Sequence, residues 1–104
     1  MKDNMSIPKT IKIGRVKYKI KFKDIEGSCL GYHEASKNVR NIVIDNELKG
    51  NVLYNVFFHE LTHAILYEIG SEESENELFV QSFGNVLQQV NEQIYKKDEE
   101  DKII

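Results

Sequence analysis

The stretch GNVLYNVFFHELTHAILYEI, Gly50 to Ile69, decides how this chain is read. It contains no proline and places Val52, Val56, Phe57, Leu61, Ala64, Ile65 and Ile69 so that a helix would be apolar on more than one side. Gly70 closes it, because glycine accepts the left-handed conformation that ends helices. Within the run stands His59-Glu60-Leu61-Thr62-His63. Histidines four apart lie one turn apart on one face, so both imidazoles can reach a single tetrahedral ion. Glu60, one position along, can approach a water at such an ion's open site. A zinc ion brings the pKa of that water toward neutrality and polarises a carbonyl, while a carboxylate takes the proton and passes it to a leaving nitrogen. Five residues thus supply two ligands and a base. The plainer alternative is that the three polar groups are only hydrogen-bonded in the core. Val56-Phe57-Phe58 and Ala64-Ile65-Leu66 flank them, and burial in so apolar a segment is costly unless a partner uses the groups.

Downstream, Ser71 or Ser74 can cap a second helix running to about Lys96, with the apolar stripe Phe79, Phe83, Val86, Leu87, Val90 and Ile94. The charged tail 97–104 is expected to fray. A catalytic zinc site takes a third protein ligand, for which Glu72, Glu73, Glu75, Glu77 and His33 are the candidates. Glu77 ranks first: it stands seven residues after Gly70 and His63 seven before, which at about 1.5 Å of rise per residue sets both at similar depth in a helical hairpin. Gly84, two turns on, would let the helices approach, and Gln81 could hydrogen-bond a ligand. Against this, Ser74-Glu75-Asn76-Glu77 is also a capping box, in which Glu77 would bond only its own helix start. Glu73 ranks next and His33 third.

Upstream, Ile11, Ile13, Val16, Tyr18, Ile20 and Phe22 alternate with Lys12, Arg15, Lys17, Lys19 and Lys21, the pattern of a half-buried β-hairpin. Gly14-Arg15 suits a two-residue type II′ turn. Two further strands are expected, around Cys29–His33 and at Asn41–Asp45, joined by a polar loop from Glu34 to Arg40.

A chain of 104 residues is the length of one domain, here 1–104. Its single cysteine, Cys29, excludes an intrachain disulfide, and neither a signal-like apolar segment nor a membrane-spanning run occurs, so a cytoplasmic location is expected. Net charge is −3 but sorted: residues 1–44 hold 10 Lys+Arg against 4 Asp+Glu, and residues 45–104 hold 4 against 13. The fold should be basic at its sheet and acidic at its helices. Aromatic residues do not interleave with the lysines, since Tyr18 and Phe22 fall on the apolar face, which argues against nucleic-acid binding.

His59-Glu60-Leu61-Thr62-His63-Ala64 followed by Glu77-Leu78-Phe79-Val80-Gln81-Ser82-Phe83-Gly84 resembles the zincin metallopeptidases with a glutamate third ligand, particularly ImmA/IrrE-like and SprT-like proteins and small phage or prophage relatives. ImmA/IrrE-like second motifs typically read Glu-x-x-Ala-Asn/Asp-x-Phe-Ala; this chain keeps the glutamate and phenylalanine and departs at Val80, Gln81 and Gly84. The resemblance covers about Asn41 to Val90. It implies a substrate held as an added strand along the edge of Asn41–Asp45, beside the active-site helix.

The expected fold is therefore α+β and zincin-like, a small antiparallel or mixed sheet packed on an active-site helix and a second long C-terminal helix. The expected activity is zinc-dependent hydrolysis of peptide bonds in a protein substrate, with Glu60 as base and His59, His63 and Glu77 as ligands. Tyr67, one turn beyond His63, and His33 are candidates to stabilise the transition state; the plainer reading of Tyr67 is a tyrosine packed on the neighbouring helix. Cys29 reads as an ordinary buried thiol. Three rivals stand beside this reading: a degenerate zincin acting as a binding or regulatory module, a metal-free assembly protein, and a DNA-associated protease of the SprT-like kind.

Overall fold

Alternation of apolar and lysine residues produces the first hairpin in the computed structural model, which describes residues 7–103, with side chains to Tyr95. Strand β1 (Thr10–Ile13) pairs antiparallel with β2 (Val16–Lys23), Ile13 opposite Val16. Gly14 has φ 65° and Arg15 is not in the positive region, the combination a type II′ turn requires. Ile13, Tyr18 and Ile20 are buried and the intervening lysines exposed. Phe22 departs from the pattern, standing 45% exposed at the end of the strand.

Strands β3 (Gly31–Ser36) and β4 (Val39–Asp45) form a second hairpin, with Ser36 opposite Val39. The loop expected from Glu34 to Arg40 thus contracts to a turn at Lys37-Asn38, and the strand expected from Cys29 begins at Gly31. Polar residues suit these positions because β3 lies at an edge. The sheet order is β1-β2-β4-β3, with β4 parallel to β2 and antiparallel to β3. Asn41–Asp45 is therefore not an edge strand. Both sides of its backbone are paired, and Asn41 to Ile44 are buried, as the apolar Ile42-Val43-Ile44 run favours.

One face of the sheet packs on α1 (Gly50–Glu68), where Tyr18, Ile20, Ile42 and Ile44 meet Val56, Phe57, Phe58, Leu61 and Ala64. The end of α1 is a Schellman motif: Gly70 adopts φ 74°, Ser71 N donates to Leu66 O and Gly70 N to Tyr67 O. A 3-10 turn (Glu72–Glu75) follows, and Ser71 Oγ accepts from Glu73 N. Helix α2 begins at Glu77 and continues to Ile103. Its cap is Asn76, whose side-chain oxygen accepts from Phe79 N at 3.1 Å, and not Ser71 or Ser74. Of the tail 97–104, which was expected to fray, the side chains lie outside the description.

Helix α1 separates the sheet from α2, and this decides which side of α2 is covered. Val80, Gly84 and Gln88 are the buried positions, not the apolar stripe. A Cβ on Gly84 would lie 3.3 Å from Phe58 O and 3.4 Å from His59 Cα, so glycine does permit the close approach expected of it. Gln88 is held between the helices, donating to Asn51 Oδ1 and accepting from Asn55 Nδ2. Phe79, Phe83, Val86, Val90 and Ile94 stand 39–63% exposed. The architecture is a four-stranded mixed sheet with two helices, an α+β fold. No helix among the described residues is long and apolar enough to cross a membrane.

Candidate metal centre

Helix α1 carries His59 and Glu60 on one turn and His63 on the next, and the start of α2 brings Glu77 against the two histidines. His59 Nε2 lies 3.1 Å from Glu77 Oε1, and His63 Nε2 lies 3.3 Å from Glu77 Oε2. One ligand atom from each of the three residues falls within 4.8 Å of the others. Glu73 and His33, the other candidates for third ligand, are not part of this group. The Glu73 carboxylate instead accepts from Asn76 Nδ2 at 2.7 Å. The capping box that would have occupied Glu77 does not form, because Asn76 has taken the cap.

The hydrogen bonding around His63 identifies its tautomer. Its Nδ1 lies 2.6 Å from the Ser74 carbonyl, which can only accept, so the proton is on Nδ1. In the neutral ring Nε2 then presents a lone pair to the Glu77 carboxylate. Two acceptors at 3.3 Å repel unless a cation or a proton lies between them. This is the arrangement in which a ligating histidine is oriented by a backbone carbonyl behind it. His59 has less support: its Nδ1 is buried with no hydrogen-bond partner among the described residues. Ligation through Nε2 would leave an N–H there unpaired, a cost of about 1–3 kcal/mol that ion binding must exceed. The donor set of two imidazoles and a carboxylate nonetheless fits zinc.

Glu60 is 7% exposed and lines a pocket of about 360 Å³ together with Gly31, His33, His59, His63 and Glu77. Burial pushes its carboxyl above the ordinary value, opposed by His59 and His63.

His33 enters the pocket from β3, its ring parallel to that of His63. Tyr18, fully buried on β2, donates its hydroxyl proton to Glu68 Oε2 at 2.7 Å and lies 3.0 Å from His33 Nε2. With that proton committed, the His33 Nε2–H must be the donor to the tyrosine oxygen. Arg40 Nε completes the network, donating to Glu68 Oε2 at 2.5 Å. Burial, and then the adjacent His63, hold the His33 imidazole below its ordinary pKa. Burial and the Glu68 contact raise the Tyr18 hydroxyl well above its usual range. Sequence reading missed this network: Tyr18 was one more apolar-face residue, and Glu68 and Arg40 look like ordinary surface charges. The one signal was a tyrosine at the centre of a buried strand face, whose hydroxyl requires a partner.

The remaining candidates lie elsewhere. Tyr67 is outside the pocket lining, its ring edge-on to His33 and beneath the Arg40 guanidinium, so it packs beside the sheet and not on α2. Gln81 donates to Asn85 Oδ1 and not to a ligand. Cys29 is exposed, not buried, at the rim of the pocket.

No protein-family model, curated protein or solved structure matches this chain.

Proposed function

We propose that the chain is a zinc-dependent endopeptidase of the zincin type, as the resemblance of its two motifs to ImmA/IrrE-like and SprT-like proteins suggests. The observation that carries the reading is the convergence of His59, His63 and Glu77 beside a buried glutamate in one pocket. His59 and His63 through Nε2, and Glu77 through its carboxylate, would hold the ion. Bound there, zinc would supply Lewis-acid polarisation of a peptide carbonyl and acidify a water.

The protein's own groups would do the rest. Glu60 would take the water's proton, and its raised pKa suits it to return that proton to the departing amine. The Ser74 carbonyl would keep His63 in the ligating tautomer. His33, but not Tyr67, is within the pocket; with its Nε2–H engaged by Tyr18, it would donate to a developing oxyanion only as an imidazolium. An extended peptide would add to the free edge of β3, since β4 is paired on both sides, and Gly31 and His33 would bring it to the pocket.

One observation favours a second reading, a non-catalytic module without metal in which a neutral His59 donates Nε2–H to Glu77: the unpartnered His59 Nδ1, which would then be a bare acceptor and not an unpaired N–H. Metal content of the purified protein decides between them, with Glu77→Gln and Glu73→Gln beside wild type. Stoichiometric zinc that is lost in Glu77→Gln and kept in Glu73→Gln supports the site. Zinc-free wild type after dialysis against added zinc rejects it.

A further inference from the structure

We infer that the exposed stripe of α2 is an interface between two copies of this chain, paired antiparallel about a two-fold axis near Val86. The inference is independent of the metal site, which lies at the N-terminal end of the same helix.

The geometry of α2 separates two faces. At about 100° per residue, Phe79, Phe83, Val86, Val90 and Ile94 fall within an arc of about 80°. Val80, Gly84, Leu87 and Gln88, which meet or border α1, are centred roughly a quarter turn away. The stripe thus adjoins the internal contact at Leu87 and continues it as an apolar face that α1 does not cover. Its spacing of four, three and four residues through Val90 is that of a coiled-coil seam. Five side chains at 39–63% exposure present on the order of 400–500 Å², the size of the largest apolar patch on a typical monomer, which is often functional.

Charge selects the occupant. The chain as a whole is 30% charged, yet between Leu78 and Tyr95 the only charged residue is Glu92. That residue accepts from Gln88 on the far side of the helix from the stripe. The flanking positions Ser82, Gln89 and Gln93 are neutral. Near a two-fold axis a residue faces its own copy or a close neighbour of it, so a charge there would meet its like, and neutral polar flanks suit such a self-complementary surface. A charged partner would find no complement here.

Size selects the direction. An antiparallel arrangement sets Phe79 opposite Ile94 and Phe83 opposite Val90, each bulky ring against a branched aliphatic, and opposes the helix dipoles favourably. Two stripes and their neutral flanks would together bury about 1,200 Å², the lower end of specific interfaces.

Sedimentation velocity of the full chain tests this. We expect a dimer with a dissociation constant at or below about 10 μM, a monomer for Val86→Glu, and a retained dimer for Leu78→Glu, which alters an exposed apolar residue off the stripe. In a Cys29→Ser background, oxidation should cross-link Val86→Cys into a covalent dimer and leave Phe79→Cys uncross-linked; this arm carries the test if Val86→Glu does not fold. Monomeric wild type at ten times that concentration, or a dimer that survives Val86→Glu, overturns the inference. Cross-linking of Phe79→Cys in preference to Val86→Cys overturns the antiparallel pairing.

Discussion

The imidazole of His33 lies parallel to that of His63, with 3° between the ring planes and 6.5 Å between their centres. A strand residue is thereby held beside a helix residue of the candidate centre. What holds it is Tyr18, whose hydroxyl joins His33 on β3 to Glu68 on α1.

Tyr18→Phe removes one oxygen and leaves the His33 Nε2–H without its acceptor in a buried place. We expect a loss of about 1–3 kcal/mol in urea unfolding. Zinc content should be unchanged, because Tyr18 hydrogen-bonds to none of the three proposed ligands.

Acid stability should depend on Glu68. Burial alone would raise its pKa, but hydrogen bonds from Tyr18 and Arg40 outweigh this and hold the carboxyl below 4.5. A carboxylate depressed in the fold contributes stability that is fully present above the unfolded value and is lost as pH falls through the folded one. Glu68→Gln should therefore destabilise the protein at neutral pH, and the gap to wild type should narrow below pH 4.5. Equilibrium unfolding as a function of pH checks the sign; a gap that widens on acidification would reject it.

Gly31 adjoins both the pocket and the sheet. A Cβ there would lie 2.8 Å from Val56 Cγ1 and 2.9 Å from the Val43 carbonyl oxygen, and the latter is backbone that cannot rotate away. Gly31→Ala should cost about 1–3 kcal/mol of stability, read as a fall in the urea midpoint at constant slope.

At Gly84 the contacts are two backbone atoms of α1, at Phe58 and His59, and the Thr62 hydroxyl. Gly84→Val should push the helices apart and carry Glu77 away from the histidines. Titration with zinc should show affinity reduced by about tenfold or more, equivalent to ~1.4 kcal/mol, with helical content in circular dichroism retained. Equal affinity would mean that helix spacing does not set the site.

Glu60→Gln separates binding from chemistry. It keeps the shape of the side chain and removes the proposed base, so under the proposed activity peptide hydrolysis should fall by about 10²–10⁴-fold while zinc remains bound. Activity at the wild-type level would exclude Glu60 as the base.

What could be read in advance were features written in short-range spacing. The period of 3.6 residues and Gly70 located α1 and its two histidines, and the two-residue period with Gly14-Arg15 located the first hairpin. Counting seven residues on either side of Gly70 pointed to Glu77, but its premise of a helix rising from the turn fails, since Glu77 is the first residue of α2 after a 3-10 turn. Strand neighbours were not legible, because alternation reports which face is buried and not which strand lies alongside. Hence nothing in the pattern opposes the edge position that the family resemblance implies for Asn41–Asp45, although β2 pairs with it. The packing face of α2 was hidden for a related reason: it consists of Val80, a glycine and a glutamine, while the stronger apolar signal belongs to the face turned outward. The Tyr18–Glu68–Arg40 cluster draws on three distant segments, and no single one of them looks unusual.

The connector from Ser71 to Asn76 serves as a fixed ruler between the helices. Its start is set by the turn at Gly70 and its end by the Asn76 cap, so one added residue would have to be taken up in the 3-10 turn between them or displace the cap that positions Glu77. Lengthening of this chain, whether by natural drift or by grafting, should be tolerated at 24–30 or at the Lys37-Asn38 turn and rejected between the helices.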